Sequence, residues 1–464
     1  MRTRYFNLRI PDQDNSTVFA ELVVEDGRFE EILPAGGATA AGGEQWVDLE
    51  GALVLPGVID CHVHFDDPGF THREDFESGT RAAAAGGVTC VADMPCTSLP
   101  PITDVDALSN KLQVIRSKAL VDFVLWGGVS ANSLGETGWQ DKVTALADAG
   151  VGAIKVYLLS GMESFRDVGG EALHEILSHT SRLGIPVGVH AEDRSIVQRL
   201  TRRAHDEHQD SPAAYAASRP SEAEVAAVAT CIEACRATGA RVHIVHLASG
   251  EALDLIGAAR REDLPISAET CPHYLEFTVE DFERIGSILK TAPVVKTAAD
   301  RDRLWQGLAN GEVSFVATDH AAGQWPEEKQ TASIWSDYGG IPGVELMLPY
   351  LFSEGVRGRR ITLEHLTRIS ASEPARFLGI DHRKGKICAG YDADFVVFDE
   401  RCRWTVSAAD LHNLNRYTPL EGRELTGRVQ STFVRGRKVF TLAKAGEAEF
   451  GDAGYGQWVR RGVA

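Results

Sequence analysis

Continuous apolar runs, rather than strictly alternating ones, dominate the middle of this chain. Eight can be counted between residues 56 and 378: VIDCHVHF, VTCVADMP, DFVLWGGV, VGAIKVYLL, IPVGVHAE, RVHIVHLAS, LPISAETC and VSFVATDH. Short uninterrupted apolar runs suit strands covered on both faces, as in a parallel sheet. Helix-like stretches separate several of them, among them FESGTRAAAAGG, GEALHEILSHTSRLG and SEAEVAAVATCIEACRATGA. Gly184 and Gly239 close the last two, and glycine is a usual C-terminal stop. Eight strand–helix units predict an α/β fold, a (β/α)8 TIM barrel.

The two ends of the chain read differently. Short strands with turn signals appear in STVFAELVVEDGRFEEI and QWVDLEGALVLPG near the start, and again in KICAGYDADFVVFDE and TGRVQSTFVRGRKVF near the end. Chain termini often lie close together, so residues 1–55 and 379–442 are expected to pair into one small β-sandwich domain. Residues 56–378 would then be the barrel and 443–464 a C-terminal tail. No repeat of fixed period is visible.

Composition narrows the function classes. A chain of 464 residues fits one large domain plus a smaller one. The net charge of −19 argues against a nucleic-acid surface, which needs a basic stripe. No apolar run reaches the roughly 18 residues of a membrane span. The segment MRTRYFNLRIP lacks the apolar core of a signal peptide, and the eight cysteines show no paired short spacings. Reduced thiols in a cytoplasmic protein are the expectation. Cys231 and Cys235 lie four apart in a helical stretch and read as helix packing.

Two imidazoles interrupt the first apolar run. His62 and His64 stand two residues apart and so share one face of a strand. One such pair cannot complete a metal's coordination shell. Further polar residues stand at the ends of other runs: Lys155 in the fourth, His190 in the fifth, His246 in the sixth and Asp319 in the eighth. Barrel enzymes place their chemistry at that rim. Four imidazoles, a carboxylate and a lysine converging there point to metal chemistry. A protonated lysine has no lone pair and would repel cations. CO2 adding to the neutral amine would give a carbamate, an anion with two oxygens that can bridge two metals.

In HVHFDDPG, GTRAAAAGGVTCVADMP, IKVYL, VHAED, VHIVHLAS, ETCPHYL, ATDHA and GYDADFVVFD the chain resembles the cyclic-amidohydrolase branch of the amidohydrolase superfamily. That branch includes hydantoinases, dihydropyrimidinases, allantoinases and dihydroorotases, and the likeness spans nearly the whole chain. The resemblance implies that His62, His64 and Asp319 hold one divalent metal, His190 and His246 a second, and carboxylated Lys155 bridges them. Zinc is the metal it implies, and Asp319 the acid–base group. In VHIVHLAS the second histidine matches the family ligand, which leaves His243 structural. His273 and His320 match family residues without a ligand role. Asp66, Cys96, Ser160, Ala292 and Gly340 are expected around the substrate, a small cyclic amide opened by hydrolysis. Relatives of this kind are commonly homodimers or homotetramers.

Departures from the pattern bear on the ring. Dihydroorotases carry an arginine where this chain has Asp66, an asparagine at Cys96 and a histidine at Gly323, and use them to grip the substrate carboxylate. Asp66 would instead repel that anion, so dihydroorotase is the alternative reading, with Arg73 as the one possible substitute cation. MPCTSLPP and DYGGIPGVELMLPYL lean toward allantoinases and hydantoinases, and LHNLNRYTPLEGRELTG toward L-selective hydantoinases. Many hydantoinases place a tyrosine five residues after the bridging lysine, where this chain has Ser160. Allantoinases usually read SDHSP where this chain has TDHAA. A neutral five-membered imide or ureide ring is the expected substrate, hydantoins placed ahead of allantoin. Non-catalytic assembly proteins of the family lack several ligands; this chain keeps all six, so an enzyme is expected.

Overall fold

The eight apolar runs are the eight strands of a closed parallel barrel. A computed structural model describes residues 2–12, 16–36, 43–443 and 446–462. In chain order the barrel strands are Val58–Val63, Val88–Asp93, Asp122–Leu125 with Gly127–Gly128, Ile154–Tyr157, Val187–His190, Val242–Ile244, Ile266–Thr270 and Phe315–Val316. Successive strands pair in parallel. The ring closes where Val63 bridges His320 and the His64 amide donates to the His320 carbonyl at 2.7 Å. Of all residues in these strands only Ser267 escapes full burial, which is why the runs are continuous rather than alternating.

The helical stretches form as their local sequence dictates. Phe76–Ala85 starts at Asp75, which accepts from the Ser78 amide while the Ser78 side chain returns to the Asp75 amide. Gly170–Leu183 and Ser221–Thr238 stop at Gly184 and Gly239, both in the left-handed conformation that glycine adopts without steric cost.

Both ends of the chain build one eight-stranded sheet. Its order runs Ala448–Phe450, Arg437–Leu442, Glu424–Val434, Phe395–Thr405, Gln45–Pro56, Thr3–Pro11, Thr17–Glu25, Arg28–Pro34. Gln45–Pro56 is the seam, parallel to Thr3–Pro11 and antiparallel to Phe395–Thr405. The sheet curls until Arg28 bridges Asp392, and it encloses Tyr5, Leu22, Phe29, Phe395 and Phe433.

Beyond residue 442 the chain supplies the last strand of that sheet and then returns to the barrel. The Phe123 amide donates to Gln457 O at 3.0 Å, and the Val459 amide to Phe123 O at 2.7 Å. The N-terminal half of the third barrel strand therefore pairs with this tail, and only Gly127–Gly128 reaches the fourth strand. Among the described residues, no helix is long and apolar enough to cross a membrane.

Where sheet and barrel meet, three buried carboxylates surround one buried amine. Lys384 Nζ lies 2.7 Å from Asp122, 3.1 Å from Asp392 and 2.6 Å from Asp394. Arg435 also binds Asp122, so the chain's own cations neutralise this cluster. Replacing Lys384 with methionine is expected to cost about 3–5 kcal/mol, because the carboxylates would keep their desolvation without their central charge. The urea midpoint reads this directly, and an unchanged midpoint would contradict it.

Candidate metal centre

The strand ends bring the six polar residues to one place. His62 Nε2 lies 3.1 Å and His64 Nε2 3.2 Å from Asp319 Oδ1. One donor atom from each of these three residues falls within 4.8 Å of the others. Across the barrel, His190 Nδ1 lies 2.9 Å from His246 Nε2. The two groups adjoin, since the His62 and His246 rings are 5.4 Å apart between centroids. Lys155 is fully buried, with its Nζ 4.8 Å from the centre of the Tyr157 ring.

Several buried polar atoms of these residues make no hydrogen bond. His62 Nε2, His246 Nδ1 and Lys155 Nζ are buried and make no hydrogen bond among the described residues. Leaving buried polar atoms unsatisfied is costly, and such atoms call for an explanation. Imidazole lone pairs and a carboxylate converging on one small volume are a donor set that fits divalent cations. Burial lowers the pKa of Lys155, although Cys96 and Asp319 oppose it, and the neutral amine is the form that adds CO2. Asp319, with 14% side-chain exposure, is the most open of the six.

Backbone strain marks two of these positions. His246 has φ 40° and Asp319 φ 49°, left-handed values that cost a non-glycine residue roughly 1–3 kcal/mol. Both lie just past a strand end, and both reach side chains from other strands. Asp60 ties the first strand to the eighth: its carboxylate accepts from the His62 amide at 3.2 Å, the Thr318 amide at 3.0 Å and Thr318 Oγ1 at 2.5 Å. Burial pushes the Asp60 carboxyl up to about 6.

A second layer of carboxylates sets the imidazole tautomers. Glu269 meets His62 Nδ1 at 2.5 Å and His243 Nε2 at 3.1 Å, while His243 Nδ1 meets Ser267 Oγ at 2.8 Å. Burial opposes ionisation of Glu269, yet His62 and His243 hold its carboxyl down at about 2. An ionised Glu269 keeps the proton on His62 Nδ1 and leaves the Nε2 lone pair facing the centre. Likewise Glu192 meets His190 Nε2 at 2.8 Å and is itself gripped by Arg219. Burial works against the Glu192 charge, but Arg219 and His190 hold its carboxyl well below the usual range. Sequence reasoning missed these partners. The available signal was a carboxylate two residues after His190 in VHAED, and another opening ETCPHYL. Glu269→Gln is expected to weaken metal binding about 10–100-fold, read by chelator competition; unchanged affinity would contradict the tautomer argument.

The residues expected around the substrate divide into two groups. Asp66 and Cys96 flank His64. Both Asp66 oxygens are buried without a hydrogen-bond partner, and burial pushes its carboxyl up to about 7. Cys96 Sγ lies 3.8 Å from His64 Nδ1 and 3.2 Å from Tyr157 Oη. Ser160, Ala292 and Gly340 make no hydrogen bond with the six among the described residues. Ser160 Oγ donates to Phe165 O at 2.7 Å and accepts from the Met162 amide at 3.1 Å. The Gly340 carbonyl accepts from Lys329 Nζ at 2.9 Å and Tyr417 Oη at 3.2 Å. A Cβ at Gly340 would meet Ala321 O at 2.4 Å, so only glycine fits. Ala292 is partly exposed. His273 is buried with Nε2 unpartnered, and burial lowers its pKa to about 4. His320 Nδ1 accepts from the Gly343 and Val344 amides, which leaves Nε2–H for Glu74 at 3.3 Å. Arg73 is committed elsewhere: it forms a bidentate pair with Glu328 at 2.7 and 2.8 Å and lies over Tyr338.

A (β/α)8 barrel with this rim defines a class of metal-dependent hydrolases, and comparison with known proteins names it. Residues 53–439 match the amidohydrolase family, and the chain belongs to that family, in its cyclic-amidohydrolase branch. It is 38% identical to an allantoinase of Rubrobacter xylanophilus, covering 94% of this chain and 93% of that protein. An allantoinase of Streptomyces avermitilis is also 38% identical, over 90% and 91% of the two chains. Among solved structures, the L-hydantoinase (dihydropyrimidinase) of Arthrobacter aurescens superposes with a TM-score of 0.92 at 31% identity, covering 99% of each chain. The protein is an enzyme that hydrolyses the C–N bond of a cyclic amide in a metal-dependent reaction.

Proposed function

We propose that the enzyme opens a neutral ureide ring, with allantoin the first substrate to test and hydantoins the second. The observation that carries the catalytic reading is the convergence of His62, His64, Lys155, His190, His246 and Asp319 at one barrel mouth. His62, His64 and Asp319 would hold one divalent ion, zinc by this reading. His190 and His246 would hold another, and Lys155 as its carbamate would bridge them. Lys155 supports that role by being buried with no partner for its nitrogen. When bound, such a pair lowers the pKa of a shared water toward neutrality and polarises the substrate carbonyl. Asp319 takes the proton released as water adds to the carbonyl carbon and returns it to the leaving ring nitrogen. The amide C–N bond breaks, and a carboxylate and a free ureido N–H result.

Substrate preference follows from charge. A carboxylated ring would meet Asp66, and Arg73 is held by Glu328. Asp66 offers an anionic substituent no cation and, once ionised, repels it, so the site favours a ring without one. The 38% identity to allantoinases over nearly the full chain moves allantoin ahead of the hydantoins that the sequence motifs alone favour. The 0.92 superposition on an L-hydantoinase keeps hydantoins as the second reading. All eight cysteines are free, in keeping with a reducing, cytoplasmic setting. Zinc-loaded protein assayed on allantoin, hydantoin, dihydroorotate and a dipeptide tests the proposal. A neutral ring should exceed dihydroorotate by roughly 10²-fold in kcat/KM or more; dihydroorotate as the best substrate would contradict it.

A further inference from the structure

Opening an amide ring passes through a tetrahedral carbon whose former carbonyl oxygen gains negative charge. A hydrogen-bond donor already aimed at that oxygen lowers the barrier, and removing one such donor typically costs 10²–10³ in turnover. The hydroxyl at position 160 is not free for this duty, because Ser160 Oγ is spent on Phe165 O and the Met162 amide. Another hydroxyl belongs to a residue packed on a candidate ligand. Tyr157 ends the fourth strand two residues after Lys155, and so shares its face. Its ring stacks on His190 at 5.0 Å with 24° between planes, and packs edge-on against Phe165 at 5.8 Å. Lys155 Nζ lies 4.8 Å from the same ring.

These contacts fix the ring and leave its hydroxyl loosely held. Tyr157 Oη lies 3.2 Å from Cys96 Sγ, and that sulfur lies 3.8 Å from His64 Nδ1. The phenol therefore packs on His190 and reaches, through Cys96, the Nδ1 edge of His64, whose Nε2 faces Asp319. A thiol is a weak partner, so the O–H can turn to a charged oxygen at little cost. We propose that Tyr157 is a catalytic residue that donates a hydrogen bond to the substrate oxyanion. The proposal rests on the ring-opening reading above.

Tyr157→Phe keeps the ring and removes only the hydroxyl, so packing on His190 and Phe165 is preserved. The expected result is a fall in kcat of about 10²–10³ with KM changed by less than about threefold and metal content unchanged. Affinity for a tetrahedral ring analogue, such as a cyclic phosphonamidate, should fall by a similar factor while affinity for the ring-opened product holds. Turnover within about threefold of wild type overturns the proposal, as does a loss confined to KM. A Tyr157→Phe enzyme that loses its metals also overturns it, since the residue then serves only to pack His190. So does a Ser160→Ala enzyme that takes the loss while Tyr157→Phe keeps its turnover. If wild-type protein opens no ring in the panel, the ring-opening reading fails and takes this proposal with it; a working wild type beside an unimpaired Tyr157→Phe enzyme sinks this proposal alone.

Discussion

Lys155→Ala should strip the centre of metal and almost all activity. The side chain is buried beneath the rim with no partner for its nitrogen, in a site with four imidazoles and a carboxylate as neighbours. A bare ammonium there would repel cations, whereas its carbamate would supply anionic oxygens that let two divalent ions stand close together. Without that bridge the ions would repel each other and at least one would leave. Metal content should fall from about two per chain to below about one, because a lost ligand is rarely replaced by water at equal affinity. Lewis-acid catalysis is worth several kcal/mol, and at about 1.4 kcal/mol per decade the loss is roughly 10³-fold or more. Acetate or propionate diffusing into the vacated space should restore part of both metal and activity. Full metal content in the variant would contradict the bridging role.

Asp319→Asn should cut turnover by some 10²–10⁴, the usual scale for losing an acid–base group. The amide keeps the size of the carboxyl and can still place an oxygen near His62 and His64, which now stand 3.1 and 3.2 Å from Oδ1. It cannot accept and return a proton. Asp319 is also the most exposed of the six, which suits a group that an incoming ring would meet first. Stopped assays with metal content measured on the same sample separate proton transfer from binding. Near-wild-type turnover would refute the role, and loss of metal without loss of turnover per bound metal would reduce Asp319 to a ligand.

The architecture was legible because burial on both faces leaves a plain mark. Runs such as VTCVADMP and IPVGVHAE have no polar face to show, and the barrel gives them none. The candidate ligands were legible only as a set. One histidine or lysine at a strand end has an ordinary explanation, while six such residues on one rim point to a shared task. What stayed hidden depends on contacts distant in sequence. Arg219 reaches Glu192 across 27 positions, and Glu269 reaches His62 across 207, so neither pairing leaves a local pattern. The left-handed backbone at His246 and Asp319 was invisible because no glycine announces it. The tail was unreadable for a similar reason: Gln457 and Val459 pair through backbone atoms with Phe123, and backbone pairing over that range carries no side-chain signature. Ser160 shows another limit. Its position suggested a substrate contact, and nothing in the residue pattern signalled that its hydroxyl also bonds within its own loop.

Anomalous diffraction at the zinc edge from crystals of metal-loaded protein tests the central claim most directly. The account predicts two zinc peaks, one within bonding distance of His62, His64 and Asp319 and one of His190 and His246, with planar CO2-derived density on Lys155 Nζ between them. A single peak, or two peaks with a bare Lys155 amine turned away from both, would contradict it.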